Sequence, residues 1–131
     1  MASRMTWREF EIFAQERMSK HFGVPLNSKA PTDFPKKFAL VSEDETFVGD
    51  SKYLTMVGRQ YEPPAKLMEI TGHVWLLEKV RARTRFLVFG NQVEVAQLWL
   101  RKYGRLPTSV EFYFLAPDGK ISGLSKPRAH G

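Results

Sequence analysis

The chain has 131 residues, of which 20 are Lys or Arg against 14 Asp or Glu, giving a formal net charge of +6. That length fits one domain, and a hydrophobic content of 43% is enough for a packed core. No apolar run approaches the roughly 20 residues of a membrane-spanning helix, and the absence of cysteine excludes disulfides, thiolate zinc sites and a cysteine nucleophile.

Thr6 to Phe22 reads as a helix. Thr6 is its N-cap, Glu9 three residues on completes a capping box, and Gly23 followed by Pro25 stops it. At about 100° per residue, Trp7, Phe10, Ala14, Met18 and Phe22 form one apolar face. Glu9 and Glu16 lie opposite, whereas Glu11 projects into the apolar stripe, between Met18 and Phe22 on the helical wheel. A short extra strand is expected around Val24–Leu26. NSKAPTDFP is a loop broken by Pro31 and Pro35. KFALVS and TFVGDSKYL are strands joined by the acidic turn EDE. After the loop GRQYEPP, a helix runs from about Ala65 to Val80, apolar on more than one side and so packed against a sheet. RFLVFG is a strand covered on both faces. NQVEVAQLWLRKYG is a helix with Asn91 as N-cap and Gly104 as its stop, VEFYFL is a strand, and PDGK is a turn. This order predicts an α/β fold, a central mixed β-sheet flanked by α-helices. It is expected to be a single domain over residues 1–131, with loose ends at about 1–5 and 122–131.

The chemistry is concentrated in VGDSKYL. Alternate residues of a strand share a face, so Asp50 and Lys52 project together with Val48 and Leu54. Two charges on a mostly apolar strand cost several kcal/mol each to bury unless paired or metal-bound. An Asp50–Lys52 surface ion pair on an edge strand is the simplest alternative. Glu11 is a second carboxylate where a hydrophobe is expected. Carboxylate oxygens suit Mg²⁺ or Mn²⁺, a neighbouring lysine stabilises charge on a phosphate or helps deprotonate an attacking water, and the basic surface attracts a phosphate backbone. Together these features point to phosphodiester hydrolysis.

The run KKFALVSEDETFVGDSKY resembles the core hairpin of the PD-(D/E)XK nuclease superfamily, the restriction-endonuclease-like fold. Asp50-Ser51-Lys52 matches its (D/E)-x-K triplet, and Glu11 in WREFEIF matches the glutamate often found on its first helix. In element order the resemblance spans roughly Trp7 to Leu115. It implies a metal-dependent deoxyribonuclease, an endonuclease before an exonuclease, with Asp50, Glu11 and the main-chain carbonyl of Ser51 holding Mg²⁺ or Mn²⁺ and Lys52 beside the attacked phosphate. The position of the first acidic residue, after the aromatic of KKF, is Ala39, which has no side-chain ligand to offer. By strand alternation Ala39 and Val41 share one face and Phe38, Leu40 and Ser42 the other, so a side chain at 39 is expected to be able to point at the site. Three explanations stay open: an engineered inactive variant, a natural nuclease-like DNA-binding protein without cleavage, or an acid from elsewhere, Asp33 being the nearest. The persistence of Glu11, Asp50 and Lys52 favours the first. Either way the form as written is expected to be impaired.

Lys36, Lys37 and Tyr53 are the expected nucleic-acid contacts, with DNA ahead of RNA and no membrane partner. So small a nuclease is expected to need a homodimer to cut both strands together. The start MASRMTWREF lacks an apolar signal core, so the expected setting is cytoplasmic. Lys79, Arg81, Arg83 and Arg85, and likewise Arg101, Lys102 and Arg105, read equally well as phosphate contacts and as helix C-terminal cations. His21, His73 and His130 make no metal-spaced pair, His73 being assigned to packing or surface. Trp75 and Trp99 are expected in the core, and Tyr61 is a weaker nucleotide contact.

Overall fold

The computed structural model describes residues 5–54, 64–106 and 109–125. Helix α1 spans Trp7–Phe22. Its capping box is closed in both directions: the Glu9 N–H donates to Thr6 Oγ1 at 3.1 Å and the Thr6 N–H donates to Glu9 Oε1 at 2.8 Å. Gly23 ends it at φ 74°, a left-handed conformation that favours glycine.

Six strands form one mixed sheet: β1 (Asn27–Lys29), β2 (Phe38–Val41), β3 (Phe47–Leu54), β4 (Thr84–Asn91), β5 (Val110–Leu115) and β6 (Ile121–Gly123). Their spatial order follows the chain, β1-β2-β3-β4-β5-β6. The β3–β4 and β4–β5 pairs are parallel and the others antiparallel. Helices α2 (Pro64–Lys79) and α3 (Val93–Tyr103) make the two parallel crossovers. The fold is thus α/β, a mixed sheet flanked by helices.

Burial explains the layers. β4 sends Leu87 and Phe89 into a core with Ile70, Val74 and Leu77 of α2 and Val95 and Trp99 of α3. It sends Phe86 and Val88 the other way, against Phe10, Ala14 and Met18 of α1. Both faces are covered, as its unbroken apolar run requires. On the neighbouring strand, a β-carbon at Gly49 would collide with the Phe86 ring. Gly49→Ala is therefore expected to lower stability by about 1–3 kcal/mol through overpacking, measured by urea unfolding.

Several local expectations are corrected. The extra strand lies at 27–29 and not at 24–26, because that stretch is tied to the end of α1. The Val24 N–H bonds to the Ser19 carbonyl at 3.1 Å and the Leu26 N–H to Ser19 Oγ at 2.9 Å. Gln92, not Asn91, is the N-cap of α3. Asn91 instead ends β4 at φ 78°, and its Nδ2 donates to the Leu54 carbonyl at 2.6 Å, tying the ends of the parallel pair. The turn after Leu115 folds Ile121–Gly123 back onto β5, so Ser122 and Gly123, at the start of the tail expected to be loose, are paired. Trp99 is buried, its Nε1–H donating to Thr71 Oγ1 at 3.0 Å. Trp7 and Trp75, assigned to apolar faces, are 63% and 58% exposed. Trp75 instead lies under the ammonium of Lys79 at 5.0 Å.

Candidate functional site

The site grows out of an irregularity in the sheet. Asn27 and Lys29 of β1 are two residues apart, yet their partners on β2, Val41 and Phe38, are three apart. The extra residue is a bulge, which breaks alternation and re-aims side chains. Ala39 and Leu40 consequently pack together on the α1 side, while Phe38 and Val41 pack on the α2 side. Ala39 does not share a face with Val41 as simple alternation implied. The β2–β3 ladder is registered at Leu40 with Gly49 and Val41 with Val48, so the carboxyl half of β3 extends past it. Carboxyl ends of parallel strands are where open α/β sheets place their ligands.

A cavity of about 540 Å³ occupies this place. It is lined by Trp7 and Glu11 of α1, Ser28 of β1, Lys36 to Ala39, Asp50 to Leu54, and Lys66, Glu69 and His73 of α2. Glu11, Ala39, Asp50, Ser51, Lys52, Lys36, Lys37 and Tyr53, the residues singled out in the sequence, therefore all border one space. Asp33 does not border it and is exposed. Tyr61 and His130 lie outside the described residues.

Asp50 is the anchor, only 6% exposed. Its Oδ2 accepts from His73 Nδ1 at 2.8 Å and lies 3.6 Å from Lys36 Nζ. Its Oδ1 accepts from the Ser51 N–H at 3.1 Å and, at 3.4 Å, from the Ala39 N–H. Two cationic or donor side chains and two backbone donors offset the desolvation of a buried carboxylate. Lys52 does not pair with Asp50. Its Nζ lies 3.0 Å from Glu69 Oε2, so the simple Asp50–Lys52 couple is replaced by two links from β3 to α2. Val48 and Leu54 share that α2 face, in keeping with alternation along β3.

Glu11 is half-buried, and among the described residues it has no hydrogen bond or ion pair. One turn further along α1, Gln15 Nε2 donates to the Ala39 carbonyl at 2.9 Å, fixing the helix beside the bulge. Lys36 holds the Lys37 carbonyl at 2.9 Å and lies over the Phe38 ring. Tyr53 is less available than expected. Its hydroxyl accepts from the Met5 N–H at 3.2 Å, and its ring packs 5.2 Å from that of Phe10.

The α2 contribution is not expected from the sequence, where His73 reads as a packing or surface residue. The signal was present: Lys66, Glu69 and His73 recur at helical spacing on one side of a helix whose Leu67, Ile70, Val74 and Leu77 are buried. Elsewhere, Arg85 donates to the Glu78 carbonyl near the end of α2 at 3.0 Å, the helix-terminus role that was one of its two readings.

The Lys52 ammonium, hydrogen-bonded to Glu69, holds that carboxyl below its ordinary range, with smaller help from the charges of His73 and Lys66 and against a desolvation that raises it. A carboxyl with a depressed folded pKa adds stability above its unfolded value, near 4.5, and loses it as pH falls through the folded one. Glu69 is 53% exposed, so solvent screening keeps the contribution below about 1 kcal/mol. Glu69→Gln is expected to lower stability slightly at pH 7 and to flatten the acid limb below pH 4.5, read by urea unfolding across pH.

Among the described residues no helix is long and apolar enough to cross a membrane, and no group of three or more acidic, histidine or cysteine side chains is placed to hold a metal. Comparison of the chain with protein-family models, curated proteins and solved structures returns no match.

Proposed function

We propose that this chain is a metal-dependent nuclease of the PD-(D/E)XK type, on a restriction-endonuclease-like core, acting on DNA and impaired as written by Ala39. The observation that carries the reading is convergence: Glu11 from α1, Ala39 from β2, and Asp50, Ser51 and Lys52 from β3 border a single cavity whose remaining rim is rich in lysine. Helix α1, strands β1 to β3, helix α2 and strand β4 also follow one another as the helix, three strands, helix, strand order of the resemblance implies.

The donors suit a divalent cation in kind. Asp50 and Glu11 offer hard carboxylate oxygens and Ser51 a carbonyl, the chemistry of Mg²⁺ or Mn²⁺. Ala39, which has no side-chain ligand to offer, stands where the resemblance expects a further carboxylate. When bound, the cation would act as a Lewis acid on a phosphoryl oxygen and acidify a water. The chain's own residues do the rest. Lys36, Lys37 and Lys66 draw in and seat the phosphate backbone. Lys52, released from Glu69 by a competing phosphate, stabilises the charge that builds on the attacked group. His73 and the Ser51 N–H hold the Asp50 carboxylate in one orientation. Cutting both strands of a duplex would take two copies, and a cytoplasmic setting fits the composition.

A second reading, a nucleic-acid-binding protein without cleavage, is favoured by one observation, Ala39 itself. Restoring aspartate at 39 and assaying plasmid and single-stranded DNA with Mg²⁺ or Mn²⁺ separates the two. Cleavage that depends on Lys52 supports the nuclease, and binding without cleavage supports the binder. If the site charges were only structural, binding to DNA would be absent at low and moderate salt alike.

A further inference from the structure

We propose that the Trp7 indole is a stacking platform for an unpaired base, so that the strand held in the cavity is single-stranded or locally unpaired DNA. This rests on the nuclease-type reading and names the form of its substrate. Trp7 begins the apolar stripe of α1, but the other core members of that stripe, Phe10, Ala14 and Met18, are buried, whereas Trp7 is 63% exposed. It borders the cavity one helical turn before Glu11 and faces the same space as Lys36, Lys37 and Lys66. The Arg8 guanidinium lies over its ring, 5.0 Å from the centroid, which leaves the opposite face for a base and sets up a cation–π sandwich. A large exposed aromatic beside a basic groove is the arrangement that binds single strands: lysines track the phosphates while the ring takes a base. Inside a duplex every base face is already stacked, so an indole at the rim finds a partner there only at an end. Tyr53, the aromatic expected to do this, has its hydroxyl bonded to Met5 and its ring against Phe10.

The test is fluorescence anisotropy in EDTA, so that binding is read without cleavage. The probes are a labelled oligothymidylate of about ten nucleotides, an abasic strand of equal length, a blunt duplex, and the same duplex with an unpaired overhang. Trp7→Ala is expected to weaken oligothymidylate and overhang binding by about 5- to 150-fold, the range for one base–aromatic stack. The salt slope should not change, because no cation is removed. Trp7→Phe should recover part of the loss, the abasic strand should not distinguish Trp7→Ala from wild type, the blunt duplex, with only its two end faces, should lose far less than the overhang duplex, and Trp75→Phe should behave as wild type. A loss confined to the overhang duplex, or confined to the free strand, identifies which form supplies the base. Oligothymidylate and overhang binding that Trp7→Ala leaves unchanged, or a loss equal on all four probes, overturns the inference. If Ala39→Asp still cleaves DNA in that case, the nuclease reading stands without it. No salt-dependent binding of any probe by the wild type overturns both.

Discussion

Ala39→Asp should raise metal-dependent DNA cleavage by about 10²–10⁴-fold over the chain as written, the contribution of one positioned catalytic group. The backbone of residue 39 already lies against Asp50, its N–H reaching Oδ1 at 3.4 Å, and the residue is among those that border the cavity. A carboxylate there stands near Asp50 and Glu11 without a bound cation to balance them. The variant should therefore be less stable than its parent in EDTA and should bind DNA more weakly, since a third anion repels phosphate. Mg²⁺ or Mn²⁺ should reverse the stability deficit, because a cation that binds only the folded state stabilises it, by about 2.7 kcal/mol at a hundred times its Kd. Lys52→Ala in this background should abolish the gain in cleavage while leaving the metal-induced rise in Tm. That split separates the lysine's part in turnover from the carboxylates' part in holding the ion. Plasmid nicking and thermal melts with and without metal measure the whole set.

Asp50→Ala should have the largest effect on the fold of any change to a charged side chain of the cavity, lowering stability by about 1–3 kcal/mol. The carboxylate is nearly buried and gathers four donors: Ala39 of β2, Ser51 of β3, His73 of α2, and Lys36 ahead of β2. Removing it leaves those donors without their acceptor. The cost stays below the 3–5 kcal/mol of a fully buried broken pair, since the Lys36 and His73 side chains retain some contact with water. His73→Ala should cost less, because Asp50 keeps its two backbone donors and Lys36. Urea unfolding of both variants at neutral pH tests the ranking. In the Ala39→Asp background, Asp50→Ala should also remove the metal-dependent rise in Tm, which His73→Ala should only weaken.

Much of this architecture is written in local signals. The capping box at Thr6 and Glu9 and the glycine at 23 bound α1 on both sides. The continuous apolar run of RFLVFG needed cover on two faces, and the helices supply it. What was illegible depends on the third dimension. Simple alternation put Ala39 with Val41, but the bulge opposite β1 turns Ala39 toward α1, and a bulge depends on the register with a partner strand, which periodicity within β2 does not contain. Alternation did put Asp50 and Lys52 on one face, yet it could not say that α2 would present His73 and Glu69 to separate them. The same blindness hid the role of Trp7. Its spacing matches the core stripe of α1, but the helix overhangs the cavity at its first turn, so periodicity there marks a rim and not a core. Asn91 shows the reverse case: a residue with every credential of an N-cap is used instead to tie β4 to β3.

A nuclease of this kind requires the carboxylates of α1 and β3 to share one divalent cation. Anomalous scattering from crystals of the Ala39→Asp variant soaked in Mn²⁺ tests this most directly. The prediction is a single manganese peak inside the cavity, with the Asp50 carboxylate and the Ser51 carbonyl as ligands and Glu11 joining directly or through water. Cavities without manganese, or manganese bound only on the outer surface, would contradict it.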